Sequence, residues 1–402
     1  MLNYNPNKDK NMNNFTFHSP TEFIFGRDTQ KETGKTLKRY GAEKVMIVYG
    51  GGSAERSGLI AQITASLDAE QIPYVILKGV KPNPDAALVY EGIATAVREA
   101  VTFMLAVGGG SVIDTAKAIA MGAVYTGDFW DFYCGKAQPV AALPIGVVLT
   151  IPAAGSEGSC KTVITKIDDK GNHKMSIGSE LIRPRFAIMN PELTMSLPWN
   201  QTANGIVDML CHIQERYFSN TPAELVNAYS EAIMRDVMDQ ALTLKVEADN
   251  YEARANVMWA GMLAHNGICG VGKEEDWASH KLEHEVSAFY DVPHGAGLAC
   301  IVPAWLAFVA KRNPDMVWRF AINVMSVNPQ GLDTERIIDE GISLLKDFYH
   351  DLGMTTSLTE LCGKEPDIDK LVESLEKNIG ATIGAYVPLS MDDCREIYKA
   401  AL

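Results

Sequence analysis

Phe103-Met-Leu-Ala-Val-Gly-Gly-Gly-Ser-Val-Ile-Asp-Thr-Ala-Lys117 is an apolar run that breaks on three glycines and resumes as a helical pattern. The run 103–107 has the length and unbroken apolarity of a strand buried on both faces, and 112–122 carries a helical period. Glycines 108–110 remove Cβ atoms between the two, so backbone can approach a ligand closely. The helix start then offers unpaired N–H groups and a positive dipole end to a pyrophosphate. A Gly-rich turn that binds nothing is the competing reading of three glycines by themselves.

The same alternation surrounds this stretch. Lys44-Val-Met-Ile-Val-Tyr49 reads as a strand ending in Gly50-Gly-Gly-Ser53, with a helix over 57–69. Tyr74-Val-Ile-Leu77 is a further strand, leading into Lys81-Pro-Asn-Pro84 and a helix over 85–100. Strands and helices alternating at this spacing predict an α/β domain with a parallel sheet, a Rossmann-like arrangement spanning 15–190. Past Leu197-Pro198 the pattern changes to long helical segments, about 199–218, 221–246, 249–267, 276–289, 296–312 and 314–326, then 334–352, 367–380 and 391–401. An all-helical domain is therefore expected over 191–402. Residues 1–14, rich in Asn and Lys without an apolar stretch, read as a disordered extension and not as a signal peptide.

A chain of 402 residues accommodates two domains with substantial cores, and 47% hydrophobic and 21% charged residues are ordinary for a globular enzyme. A formal net charge of -14 without a basic stripe argues against nucleic acid as a partner. The seven cysteines show no CxxC pairing, which reads as reduced thiols in a cytoplasmic protein. The longest uncharged run, 295–310, is too short to span a membrane and contains a proline.

Metal-ligand side chains gather in two clusters of the helical half. Asp208 and His212 are four apart in Gly205-Ile-Val-Asp-Met-Leu-Cys-His212, so on a helix they share a face. His280 and His284 repeat that spacing, and His294 follows Pro293 in what reads as a loop. One carboxylate and several imidazoles suit Fe²⁺ or Zn²⁺ and are a poor set for Ca²⁺ or Mg²⁺. Polar pairs at this spacing also decorate exposed helix faces. Asp208, however, stands in an apolar run where an unpaired carboxylate is costly. Cys211 precedes His212, and its position turns it away from that face.

Gly205-x-x-Asp-x-x-x-His-x-x-Glu215, followed by His280-x-x-x-His284 and His294-Gly295, resembles the iron-containing (group III) alcohol dehydrogenase family, in particular its NADP-dependent butanol dehydrogenases and aldehyde reductases. The resemblance runs from about Phe15 to the end, and makes Met12 a candidate start. It implies a dehydroquinate synthase-like architecture, with a Rossmann-like domain followed by a helical metal-binding domain. It further implies a single Fe²⁺ or Zn²⁺ on Asp208, His212, His280 and His294, and a homodimer acting on a small alcohol or aldehyde such as butanol or butyraldehyde.

Gly108-Gly-Gly-Ser-x-x-Asp-x-x-Lys117 matches the family's phosphate-binding motif, which places Gly109, Gly110 and Ser111 at the pyrophosphate and Asp114 near the nicotinamide. Lys117 is open to a surface reading. At the turn after the first strand, Gly51, Gly52 and Ser53 resemble the small residues with which the NADP-dependent branch holds a 2′-phosphate. NADP(H) is therefore expected, with Glu55 as the objection. Asn83 would touch the adenosine side. Leu149-Thr-Ile-Pro-Ala-Ala-Gly-Ser-Glu157 places cofactor-contacting hydroxyls at Thr150 and Ser159, although Pro152, Ala153 and Ala154 depart from the family's pattern, and Lys174 matches a lysine near the cofactor. The resemblance implies hydride transfer to a polarised carbonyl. His284, sharing a face with His280, is the candidate proton donor, and a structural role is the alternative. Phe129, Trp130 and Phe132 either wall an apolar pocket or simply pack. A metal-dependent lyase or synthase of the same fold is the rival function, and a non-redox zinc hydrolase or binding protein leaves the Gly-rich motif unexplained.

Overall fold

The computed structural model describes residues 11–168 and 171–402. The first ten residues of the expected N-terminal extension lie outside them. Among the described residues, eight strands occupy the first half: β1 (Glu22–Phe25), β2 (Val45–Gly50), β3 (Tyr74–Val80), β4 (Phe103–Gly108), β5 (Ile145–Leu149), β6 (Lys161–Asp168), β7 (Gly171–Gly178) and β8 (Phe186–Met189). Six form one sheet in the order β1-β8-β5-β4-β2-β3, each neighbour parallel to the next.

Every residue of β4 and β5 is buried, because helices cover both sheet faces. Alternate side chains of β2 feed two cores. Val45, Ile47 and Tyr49 pack with Leu59, Ile63 and Leu67, whereas Met46 and Val48 pack with Val89, Ile113 and Ile119. Full burial of each such aliphatic side chain contributes about 1.5–3 kcal/mol. From β2 the chain steps outward to β3, then returns to the other side of β2 and proceeds through β4 to β5. That reversal opens a crevice outside the carboxyl ends of β2 and β4, the place where open parallel sheets bind ligands.

β6 and β7 leave the main sheet as an antiparallel hairpin, pairing Thr165 with Lys174, and β7 packs on the helix Ala278–Tyr290. The second half is helical, apart from a two-residue pairing of Thr382–Ile383 with Leu389–Ser390. Its central element is the helix Trp199–Tyr217, buried at every residue from Gly205 onward. The helices Tyr251–His265, Ala278–Tyr290 and His294–Ala310 surround it. The sequence suggests a loop at His294; instead Pro293 caps a helix that begins at His294 itself. Met258 and Met262 reach from the helical half into the core of the sheet, so the halves share apolar contacts. Among the described residues, no helix is long and apolar enough to cross a membrane.

Candidate active site

Two close approaches place the metal-ligand candidates. A Cβ on Gly205 would lie 2.6 Å from the Pro152 carbonyl oxygen, and one on Gly295 would lie 2.1 Å from that of Asn204. Glycine at both positions lets the helix of Asp208 abut the sheet domain and the helix of His294 abut the helix of Asp208. The Ala278–Tyr290 helix brings His280 against the same face.

The result is a buried convergence on one carboxylate oxygen. Asp208 Oδ1 lies 3.3 Å from His212 Nδ1, 3.8 Å from His280 Nε2 and 3.7 Å from His294 Nε2. Asp208 Oδ1, His212 Nδ1 and His280 Nε2 are each buried without a hydrogen-bond partner. Three orphaned polar atoms facing one point are costly unless something else binds them, and a cation does so. The far nitrogens are already committed. His280 Nδ1 donates to Glu215 Oε1 at 3.0 Å, and His294 Nδ1 donates to Glu283. A carboxylate on one imidazole nitrogen leaves the other as a lone pair aimed at a metal. The residues therefore fit a divalent ion of the borderline class.

Electrostatics agree with a neutral, ligating His212. Burial, reinforced by His280 and Arg216, pushes it well below the usual imidazole range. Burial also lowers His280, but Cys211, Asp208 and Glu215 outweigh it and raise this imidazole well above its ordinary value. Cys211 Sγ lies 3.7 Å from His280 Nδ1, behind the ring and not on its ligating side. His284 lies beside the cluster, its ring centre 5.5 Å from that of His294, and burial, then Lys174 and His294, hold it well below the usual range.

The dinucleotide candidates stand at the carboxyl ends of the strands. Gly51, Gly52 and Ser53 follow β2, Asn83 follows β3, Gly109, Gly110 and Ser111 follow β4, and Thr150 follows β5. A Cβ on Gly109 would lie 2.9 Å from Ile151 Cβ, and one on Gly110 would lie 2.9 Å from Ala154 Cβ. Segment 151–154 is thus held between the Gly-rich turn and the helix of Asp208, which gives its departures from the family pattern a packing role. Asp114 accepts from Ser156 Oγ at 2.6 Å and from the Val163 amide at 2.9 Å, so its carboxylate organises the loop before β6. Ser159 is buried, and its Oγ accepts from the Lys161 amide at 3.0 Å.

Lys174 Nζ donates to Asn83 Oδ1 at 3.1 Å, joining two expected cofactor contacts directly. Lys117 is no surface charge. It is 0% exposed, and Nζ donates to the carbonyls of Ser156, Ser159 and Lys161 and to Ser156 Oγ, at 2.7–2.8 Å. Phe129, Trp130 and Phe132 are buried in the sheet core, where Phe129 meets Tyr90 edge-on, so they serve in packing.

Sequence reading assigned no role to four residues at the cluster. Glu215 and Glu283 hold the imidazoles of His280 and His294. His265, its ring 4.1 Å from that of His212, is buried, and Trp277 stands 5.1 Å from His280. The two acids follow His212 and His280 by three residues, a spacing that offers a signal once those histidines are singled out. Nothing local in the sequence marks His265 or Trp277.

A family model described as iron-containing alcohol dehydrogenase matches residues 20–191, and its Fe-containing alcohol dehydrogenase C-terminal counterpart matches 202–402. The chain is 40% identical over 394 residues to the "probable NADH-dependent butanol dehydrogenase 1" of Bacillus subtilis, covering 97% of this chain and 100% of that protein. It is 33% identical over 394 residues to the NADPH-dependent aldehyde reductase YqhD of Escherichia coli, with 97% and 100% coverage. The crystal structure of NADH-dependent butanol dehydrogenase A from Thermotoga maritima superimposes with a TM-score of 0.93 at 40% identity, covering 98% of this chain and 99% of that one.

Proposed function

The chain belongs to the iron-containing alcohol dehydrogenase family, and from that premise we propose the assignment of its site residues, cofactor and assembly. It is an oxidoreductase that interconverts an alcohol and an aldehyde with a nicotinamide dinucleotide. The lyase alternative is not favoured.

The observation that carries the site assignment is the convergence of Asp208 Oδ1, His212 Nδ1 and His280 Nε2, buried and unpartnered, with His294 Nε2 beside them. We assign Asp208, His212, His280 and His294 as ligands of one Fe²⁺ or Zn²⁺. When bound, the ion supplies a Lewis-acid contact to the substrate oxygen and the dinucleotide supplies hydride. The protein's own groups do the rest. Glu215 and Glu283 orient two ligand imidazoles, the Trp277 ring gives the cluster an apolar flank, and the neutral His284 relays to the product oxygen a proton that it takes from water at its other ring nitrogen. His284→Ala is expected to lower turnover with metal content intact; loss of metal would assign it a structural or ligating role instead.

Gly51, Gly52, Ser53, Asn83, Gly109, Gly110, Ser111, Asp114, Thr150, Ser159 and Lys174 form the proposed dinucleotide site, in which Asp114 and Ser159 act by shaping the loop around it. For the cofactor, NADP(H) is supported by the turn after β2. The acid there, Glu55, accepts from the Tyr49 hydroxyl and has Lys78 Nζ 3.9 Å away. Arg56 Nη1 comes within 3.1 Å of where a Cβ on Gly52 would stand, so the same turn carries a cation able to pair with a 2′-phosphate. The names of the Bacillus and Thermotoga relatives weigh towards NADH. Kinetics with both reduced dinucleotides decide the point. A higher kcat/KM with NADPH upholds the NADP(H) assignment, and the reverse assigns NADH and leaves the reaction intact. A domain boundary at 190/191, a cytoplasmic location and a homodimer complete the proposal; analytical ultracentrifugation tests the last.

A further inference from the structure

We propose that Lys174 is a positioning residue that couples occupation of the dinucleotide site to the geometry of the metal site, through Glu283 and His294. The inference rests on the metal-site reading above. Lys174 stands on the β6–β7 hairpin of the sheet domain, and its side chain is 6% exposed. Its ammonium faces two ways. On one side Nζ donates to Asn83 Oδ1 at 3.1 Å, at the turn after β3. On the other it lies 3.8 Å from Oε2 of Glu283, whose side chain is 0% exposed.

Glu283 belongs to the helical domain and carries no exposed atom to share with water. Its carboxylate accepts from Ser287 Oγ and from His294 Nδ1. The oxygen that receives the His294 proton is the one that Lys174 faces. Orientation of His294 Nε2 towards Asp208 is therefore set by a carboxylate whose charge is balanced from across the domain junction. A second link, Asn83 Nδ2 to Asp291 Oδ1 at 3.4 Å, ties the same turn to the C-terminal end of the Glu283 helix. A ligand that settles against Asn83 redistributes the Lys174 ammonium between Asn83 and Glu283, and the change reaches one metal ligand. A lysine serving only to pack the hairpin needs neither contact.

Such coupling is reciprocal, so it is measurable in binding without any turnover. The test determines Co²⁺ affinity by chelator competition, with and without saturating oxidised dinucleotide, for wild type, Lys174→Met, Lys174→Arg and Asp208→Ala. We expect dinucleotide to tighten Co²⁺ binding in wild type by about fivefold or more. Lys174→Met should weaken Co²⁺ binding about tenfold and abolish the dinucleotide effect, whereas Lys174→Arg should restore it. Absence of a dinucleotide effect in wild type, or an undiminished effect in Lys174→Met, overturns the proposal. Undiminished Co²⁺ binding by Asp208→Ala overturns the metal-site reading itself, which separates the two failures. If Lys174→Met does not fold, Lys174→Gln carries the test: it too should weaken Co²⁺ binding and lose the dinucleotide effect, and a retained effect is decisive against the coupling.

Discussion

His294 donates its Nδ1 proton to Glu283 while its Nε2 lies 3.7 Å from Asp208 Oδ1. His280 repeats the arrangement with Glu215, which accepts from both the His280 ring and the His280 amide at 3.0 Å. Each buried acid thereby fixes a tautomer that leaves Nε2 available as a ligand.

Removing that grip should be felt at the metal. Glu215→Ala is expected to weaken metal binding about 10–100-fold, because His280 is then free to rotate and to take the other tautomer. Glu215→Gln, which keeps an acceptor oxygen, should lose less. Chelator competition with Zn²⁺ or Co²⁺ reads the difference. Wild-type affinity in both variants would mean that the acids only fill space.

Gly295 is the point at which the helix of His294 meets the backbone of Asn204. A Cβ there would stand 2.1 Å from a carbonyl oxygen that cannot rotate away. Gly295→Ala should therefore displace the start of that helix, cost about 1–3 kcal/mol in urea unfolding and reduce bound metal. Unaltered stability and metal content would contradict the close approach.

Lys117 Nζ donates to three carbonyls and a hydroxyl of the 156–161 segment. Lys117→Met removes all four contacts at once; Ser156 keeps its bonds to the Ser159 amide and to Asp114, but a charged donor is lost from every acceptor, and a loss of about 3 kcal/mol is expected. Chemical denaturation checks the value, and a change below about 1 kcal/mol would contradict it.

Glu157 supplies a pH dependence with a defined sign. It is 1% exposed, and burial pushes its carboxyl from 4.5 up to about 7. The folded chain therefore holds this proton more tightly than the unfolded chain. The stability it confers is complete below about pH 4.5 and lost as pH rises through about 7. Glu157→Gln should raise the unfolding temperature by a few degrees at about pH 8, and leave it unchanged at about pH 4. An equal shift at both pH values would point to packing instead of ionisation.

The strand–Gly–helix pattern of 103–122 and the long helical periods after 198 were enough to place a parallel sheet before a helical half, because buried strands and amphipathic helices leave local signatures. β1 left none. It is four residues long and pairs with β8, more than 150 residues later in the chain. Asp208, His212 and His280 were legible as metal-ligand candidates by their spacing, Asp208 also by its apolar surroundings, whereas the choice of His280 over His284 as a ligand came only from the family resemblance. His294 was legible as a ligand candidate but misplaced in a loop, because Pro293 reads as a breaker and stands here at the N-cap of a helix. The environment of Lys117 was undecidable from sequence, since three of its acceptors are backbone carbonyls that any residue types would supply. Glu215, Glu283, His265 and Trp277 owe their importance to neighbours that only folding assembles.

The most direct test strips the protein of metal, reloads it separately with Fe²⁺ and Zn²⁺, and follows consumption of NADPH and NADH with butyraldehyde, carrying Asp208→Ala through the same procedure. The account predicts turnover that appears only on reloading, and an Asp208→Ala protein that neither retains the ion nor regains activity. Equal turnover by stripped and reloaded protein, or full metal occupancy in Asp208→Ala, would contradict it.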